Sequence, residues 1–335
     1  MKFKNKWIYI ILSLGLFSTF IIVLRMGAVE INYSEIINLL LYKLGVNDLK
    51  VDKSAKVIIE LVRLPRIIMA ILMGATLATS GAAMQALYQN PMADPYIIGI
   101  SSSASFGAVL AFALDFPPSY YGIFAFIFSI ITASILYKFS RINKRTSITI
   151  LLLMGIGLSA LFGAITSLLI YFAGEDSFSV IIWLKGYLGD ATWEKITFAF
   201  FPIIIGLFIL NYLAKDLNMF LTGEEEACYL GVNIELIKKV VLAVTTLIVA
   251  ISVAYGGIIG FVGLVIPHIL RLLVGNDHRN LIPLSTLGGA FFLLICDTIA
   301  RTIIAPVEIP IGIITSAVGA PFFIYLLMKK RSELF

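Results

Sequence analysis

Apolar runs of roughly 18 to 25 residues recur from one end of this chain to the other, each long enough to cross a bilayer as one helix. No other feature narrows the fold as far, because a polytopic helical membrane protein is the architecture such runs build. Composition agrees. Of 335 residues, 60% are hydrophobic and only 13% charged, with a mean hydropathy of +0.99. A soluble domain carries about a quarter charged residues. The net charge of +5 needs no nucleic-acid partner, since membrane proteins keep Lys and Arg at their cytoplasmic ends. Cys228 and Cys296 lie far apart, so neither a disulfide framework nor a CxxC metal knuckle is indicated.

The start, MKFKNKWIYIILSLGLF, has the look of a signal peptide, but its apolar part exceeds the usual h-region of about 15 residues and no A-x-A site follows. It reads as a first span. Ten spans are expected, at 7–25, 66–88, 96–114, 119–137, 148–172, 196–213, 238–255, 257–274, 281–300 and 311–328, in a single membrane domain over 1–335. Segment 26–65 is polar enough to lie outside, with a short surface helix in SEIINLLLYKL capped by Ser34. Both termini then fall in the cytoplasm. Lys2, Lys4 and Lys6, the basic cluster 138–145 and Lys329 to Arg331 all land inside, as the positive-inside bias requires.

The second span ends in YQNPMADPY. Pro91 and Pro95 cannot continue a helix, and Asn90 and Asp94, each before a proline, are pushed to extended or turn conformations. The span itself, GATLATSGAAMQALYQ, is lined with small residues that let helices approach closely. Irregular backbone at membrane depth survives where protein buries it or where it lines a watery cavity. Two readings stay open: an ordinary helix hairpin, or a constriction with Asn90 and Met92 at the inner mouth of a pathway.

Between spans six and seven, at 214–237, lies the longest inner loop. Its GEEEACYLGV stretch predicts a short helix, with Glu224, Glu225 and Glu226 favoured at the positive N-terminal end and Gly231 suited to a left-handed stop. A solvated connector is the plain alternative. No GxxxxGK[ST] occurs, so the chain lacks the lysine a P-loop places on phosphates and does not hydrolyse ATP by that device. His268 and His278 are too isolated for a metal site. Asp297 and Arg301, at i and i+4, share a helix face and are expected to pair. Gln85 reads as a helix-packing hydrogen bonder. The spans lack the Asp/Glu/His chains of a proton relay, which weakens the alternative of a secondary transporter or channel working without an ATPase. No constellation for an intramembrane enzyme is found.

RLPR (63–66), GATLATSGAAMQALYQNPMADPYIIGISSSASFGA, GGIIGFVGLVIPHILR (256–271), CDTIAR (296–301) and EIPIGIITSAVGAPFFIYLL (308–327) together resemble the permease subunits of the cobalamin, iron-siderophore and haem ABC importers. The resemblance covers essentially the whole chain. It implies an all-α homodimer of ten-span subunits with an inverted internal repeat (spans two to five against seven to ten). It also implies two cytoplasmic ATPase subunits, an extracytoplasmic binding protein and a cell-membrane location amid lipid. No cofactor or metal is expected, and the chain itself is not an enzyme. Carried onto matching positions, it makes Arg63, Arg66 and Arg301 the docking residues for the binding protein. The cytoplasmic gate falls on Asn90, Met92, Ser147 and Thr149, although Ile148 stands where a small polar residue is usual. ATPase coupling falls on Gly223, Glu224, Glu226, Ala227, Leu230 and Gly231. An iron–siderophore complex is the expected cargo, with haem, cobalamin or an oxyanion as alternatives.

Overall fold

The computed structural model describes residues 2–27, 29–43, 52–96, 99–142, 145–229 and 231–334. Among these, the chain forms fifteen α-helices. The first seven are α1 (Lys2–Arg25), α2 (Tyr33–Lys43), α3 (Lys53–Val57), α4 (Leu64–Leu87), α5 (Ile100–Ala113), α6 (Tyr121–Phe139) and α7 (Ile148–Ala173). The rest are α8 (Phe178–Leu184), α9 (Trp193–Tyr212), α10 (Ala214–Met219), α11 (Glu224–Tyr229), α12 (Ile234–Gly256), α13 (Val262–Val274), α14 (His278–Thr302) and α15 (Ile311–Leu334). Six helices or helix pairs are long and apolar enough to cross a membrane, and three shorter apolar helices lie at 100–113, 262–274 and 311–325. With α4, these make the ten expected spans.

α4 is the axle of the subunit. Nearly every residue from Pro65 to Leu87 is buried, and α9, α12, α13 and α14 all pack on it. Small residues make that possible. A Cβ on Gly74 would strike the Gly289 carbonyl of α14, and one on Gly81 would strike the Gly263 carbonyl of α13. With no hydrophobic force to drive helices together in lipid, this backbone-to-backbone approach is what holds them.

The helix of α4 begins earlier than the sequence indicates. α3, a π-helical stretch Ile58–Arg63 and α4 run on without a break. Pro65 has no N–H to donate, and the wider i→i−5 winding just before it accommodates that loss. Arg63 and Arg66 therefore stand on a helix, not on a loop. A second correction concerns α2. Ser34 lies inside the helix rather than at its cap, and Glu35 accepts from the Asn32 backbone N–H at 2.8 Å, the reciprocal half of a capping box.

The expected internal repetition is visible in the helix order. Both α4–α7 and α12–α15 run long, short, long, long. Both short helices follow a broken segment and start from a residue with positive φ, Gly99 at 77° and Phe261 at 68°. An odd number of crossings separates the halves, so they run in opposite directions through the membrane. Between α6 and α7 the chain makes a two-stranded hairpin pairing Arg141 with Thr146 and Ile142 with Arg145, which no pattern in the sequence announced.

α7 stands apart. It packs chiefly on α5 and otherwise presents bare apolar faces, with only Leu151, Gly155 and Thr166 buried along 26 residues. Nothing lies within 4 Å of where a Cβ would sit on Gly157 or Gly163.

Candidate translocation and coupling sites

The end of the bundle where α4 begins gathers charge from elements far apart in sequence. Arg66 on α4 donates from Nε to both oxygens of Asp297 on α14, at 3.0 and 3.2 Å. Its Nη1 reaches both oxygens of Glu308 at 2.9 Å. The expected Asp297–Arg301 pair exists but is the looser contact, 3.9 Å from Arg301 Nε to Asp297 Oδ2. Arg301 turns Nη2 instead to the Val23 carbonyl at 3.0 Å, leaving a buried Nε without a hydrogen-bond partner. Arg63 donates to the carbonyls of Leu24 (2.5 Å), Arg25 (2.7 Å) and Val29. A cation is favoured where a helix ends in unsatisfied carbonyls, and here it clasps the C-terminus of α1 to the start of α4.

All three candidate docking arginines are thus enclosed, at 3% exposure for Arg63 and 6% for Arg66 and Arg301. The sequence reading placed them as external charges, with a partner only for Arg301. The fold shows why they are tolerated beside hydrocarbon: each already has acceptors within its own chain. Glu308, in the connection between α14 and α15, is the exposed member of the cluster.

At the opposite end, the turn after α4 is built as its prolines and Asx residues require. Asn90 Oδ1 accepts from the Met92 N–H at 2.9 Å, and Asp94 Oδ1 accepts from the Tyr96 N–H at 2.8 Å. Asn90 is exposed and Met92 half-buried. Ser147 caps α7, its Oγ accepting from the Ile150 N–H at 3.4 Å, and Thr149, two residues on, is exposed. Among the described residues no hydrogen bond joins the Asn90 turn to Ser147 or Thr149 within one chain. Gln85 behaves as a packing group, donating at 3.3 Å to the carbonyls of Gly263 and Leu264.

The loop at 214–237 folds into α10, one 3₁₀ turn and α11. Gly223 takes φ 110° and Gly231 φ 84°, backbone that a side chain would strain. The Glu226 carboxylate folds back over Gly223, and the Gly223 carbonyl accepts from the Ala227 N–H at 3.1 Å. Ala227 is wholly buried, whereas Tyr229 is 91% exposed. Glu224 opens α11, and Leu230 lies outside the described residues.

Three residues that the sequence did not single out tie this loop to the rest. Gln89 donates to the Phe220 carbonyl at 2.7 Å, joining the turn after α4 directly to the loop. Asn218 on α10 donates to Asp277 Oδ1 at 2.7 Å, and its Oδ1 accepts from the His278 N–H at 2.8 Å. Only their positions next to recognised segments could have marked them. A cavity of about 340 Å³ opens among Gln85, Asn90, Phe220, Arg271 and His278.

A profile of the FecCD transport family matches residues 14–329. The chain belongs to that family. It is 42% identical over 285 residues to the cobalamin import system permease protein BtuC of Halobacterium salinarum, covering 84% of this chain and 76% of that one. The hemin transport system permease protein HmuU of Yersinia pestis is 40% identical over 81% of this chain and 83% of its own. The molybdate import system permease protein MolB of Haemophilus influenzae is 38% identical over 96% and 95%. A solved inward-facing conformation of a metal-chelate type ABC transporter superposes with a TM-score of 0.85 at 35% identity, over 97% of this chain and 99% of that one. As a FecCD chain, the protein is a multi-pass membrane permease subunit of the ABC importer type, and the all-α ten-span architecture read from the sequence stands.

Proposed function

We propose that two copies of this chain meet across α7 and enclose the pathway of a bulky metal chelate, an iron–siderophore complex, with haem or cobalamin as the alternatives. The observation that carries this reading is α7 itself. It is a 26-residue apolar helix without a charged side chain, and its small-residue positions at Gly157 and Gly163 face nothing in its own subunit. Such a wall offers no counter-charge to a bare cation or oxyanion, which at membrane depth costs several kcal/mol, whereas a large ligand that wraps its metal can slide past it. The named relatives span cobalamin, hemin and molybdate, so their names do not choose among cargoes.

Two cytoplasmic ATPase subunits would grip α11 from the inside. The contacts from Phe220 to Gln89 and from Asn218 to Asp277 supply a short route from that grip to the Asn90–Met92 turn. In the dimer that turn and the Ser147–Thr149 start of α7 would close the inner mouth. An extracytoplasmic binding protein would dock over the Arg63, Arg66 and Arg301 cluster, its carboxylates taking the place of Glu308 on Arg66. Both termini would lie in the cytoplasm.

Reconstitution into liposomes with the cognate ATPase and binding protein tests this. ATP-dependent uptake of a ferric siderophore in preference to haem and cobalamin is the expected result. Uptake that proceeds without the ATPase would instead make the chain a secondary transporter. Docking is tested by Glu308→Gln, which frees one side of Arg66 without removing a buried cation. It should tighten binding-protein affinity severalfold, while Arg66→Glu should weaken it by at least about tenfold, the low end for a desolvated pair. Affinity unmoved by either change would return the cluster to a purely structural role.

A further inference from the structure

α6 and α12 pack together, and a surface groove runs between their inner halves. Toward the outer end the two helices touch, and a Cβ on Gly122 would strike the Ala254 carbonyl. Toward the inner end they leave a groove of about 310 Å³. Ala133, Ser134 and Tyr137 line one wall, and Lys239, Ala243 and Thr246 the other. Ala133 and Ser134 lie four and three residues before Tyr137, and Lys239, Ala243 and Thr246 are spaced by four and three, so each wall is one continuous helix face. The walls are mostly apolar and lie at membrane depth.

The inner mouth of the groove is cationic. Lys239 lines it, and the Arg141 guanidinium sits 5.8 Å from the ring centroid of Tyr137. The hairpin that carries Arg141 is fastened there. Thr146 donates from its N–H and hydroxyl to Glu235 Oε2 at 2.9 and 2.8 Å, and Lys238 Nζ donates to the Thr146 carbonyl at 3.2 Å. Glu235, the nearest carboxylate in sequence, is therefore occupied by Thr146 and lies 3.7 Å from Lys238. Among the described residues, Lys239, Arg141 and the neighbouring Lys138 form no ion pair.

We propose that this groove is a binding site for an anionic phospholipid of the cytoplasmic leaflet. One acyl chain lies along the Ala133 and Ala243 walls, and the phosphate meets Lys239 and Arg141 at the mouth. The chemistry is complementary at both ends: an apolar channel for hydrocarbon, and two unpaired cations where a headgroup sits. Each Lys or Arg near an anionic surface adds about 1 kcal/mol, and a guanidinium fork suits phosphate oxygens. The leaflet assignment rests on the orientation proposed above. The test does not, since it counts bound lipid whichever way the protein faces.

The full-length permease is purified from nanodiscs holding equal phosphatidylglycerol and phosphatidylcholine, and retained lipid is counted by native mass spectrometry. Phosphatidylglycerol should be retained over phosphatidylcholine by about tenfold or more. Lys239→Glu with Arg141→Glu should bring that ratio to near one, and Lys239→Arg should keep it. Ala243→Leu, which fills the groove but leaves the cations, should lower retention of both lipids. Should the double reversal fail to fold, Lys239→Gln alone should reduce the ratio severalfold. Equal ratios in wild type and the charge variants would overturn the proposal. So would displacement of the lipid by millimolar inorganic phosphate, which would mark an ion site without a lipid.

Discussion

α4 and α7 are both long apolar helices rich in glycine and alanine, and they have opposite fates. In α4 the glycines meet backbone: Gly74 faces Gly289 and Gly81 faces Gly263. In α7, Gly157 and Gly163 meet nothing. Composition does not separate the two, and neighbours do. α4 is used up within one subunit, while α7 is left over, as the proposed dimer requires.

The sharpest way to break this contrast is to put bulk on both helices. Gly81→Leu should abolish the folded permease, because the neighbour is a carbonyl that cannot move aside. Overpacking ordinarily costs about 1 to 3 kcal/mol, and a backbone collision exceeds that range. Loss of the monodisperse peak in size-exclusion chromatography would register it. Gly157→Leu should leave the subunit folded and membrane-inserted but reduce ATP-driven uptake by about tenfold or more, the effect of misplacing a packed interface by one side chain. Cysteines at 157 should crosslink between copies. A Gly157→Leu protein that transports normally would make α7 a lipid-facing helix and dissolve the contrast.

A middle-sized effect belongs to the coupling loop. Replacing 224–229 with a Gly/Ser linker should leave thermal stability near wild type, since among the described side chains of α11 only Ala227 is buried. Stimulation of the ATPase by the binding protein should fall to the basal rate. Full stimulation would reduce the loop to a connector. The smallest effect is a single hydroxyl. Thr79 on α4 shares a 2.7 Å hydrogen bond with Thr286, so Thr79→Val should cost about 1 kcal/mol of stability. Ser167 on α7 is exposed, and Ser167→Val should change stability by less than about 0.5 kcal/mol. Chemical denaturation in detergent would compare the two.

The ten spans were legible because hydrocarbon demands long apolar runs, and the Asn90 and Gly231 turns because proline and glycine leave few backbone choices. What stayed hidden was set by distance along the chain. Arg66 finds Asp297 and Glu308 across 231 and 242 residues, so the sequence showed Arg63 and Arg66 without partners where the fold has a closed cluster. The Asp297–Arg301 spacing was read correctly as one helix face, yet the better partner came from another helix. The hairpin at 141–146 has no alternating pattern to reveal it, and its anchor Glu235 lies 89 residues on. Ser34 was mistaken for a cap because Asn32, two residues earlier, fits the same chemistry and has Glu35 to complete it.

The Gln89–Phe220 hydrogen bond carries a thermodynamic obligation. If the turn after α4 and the loop under it move as one, any free energy with which a bound motor favours one position of Phe220 appears, with the same magnitude, as a preference of the turn. The dependence is reciprocal. Cargo that settles against the turn must alter how tightly the cytoplasmic partner holds α11, and an empty pathway must alter it the other way. Through that single amide, the permease would report its occupancy to its motor as well as obey it.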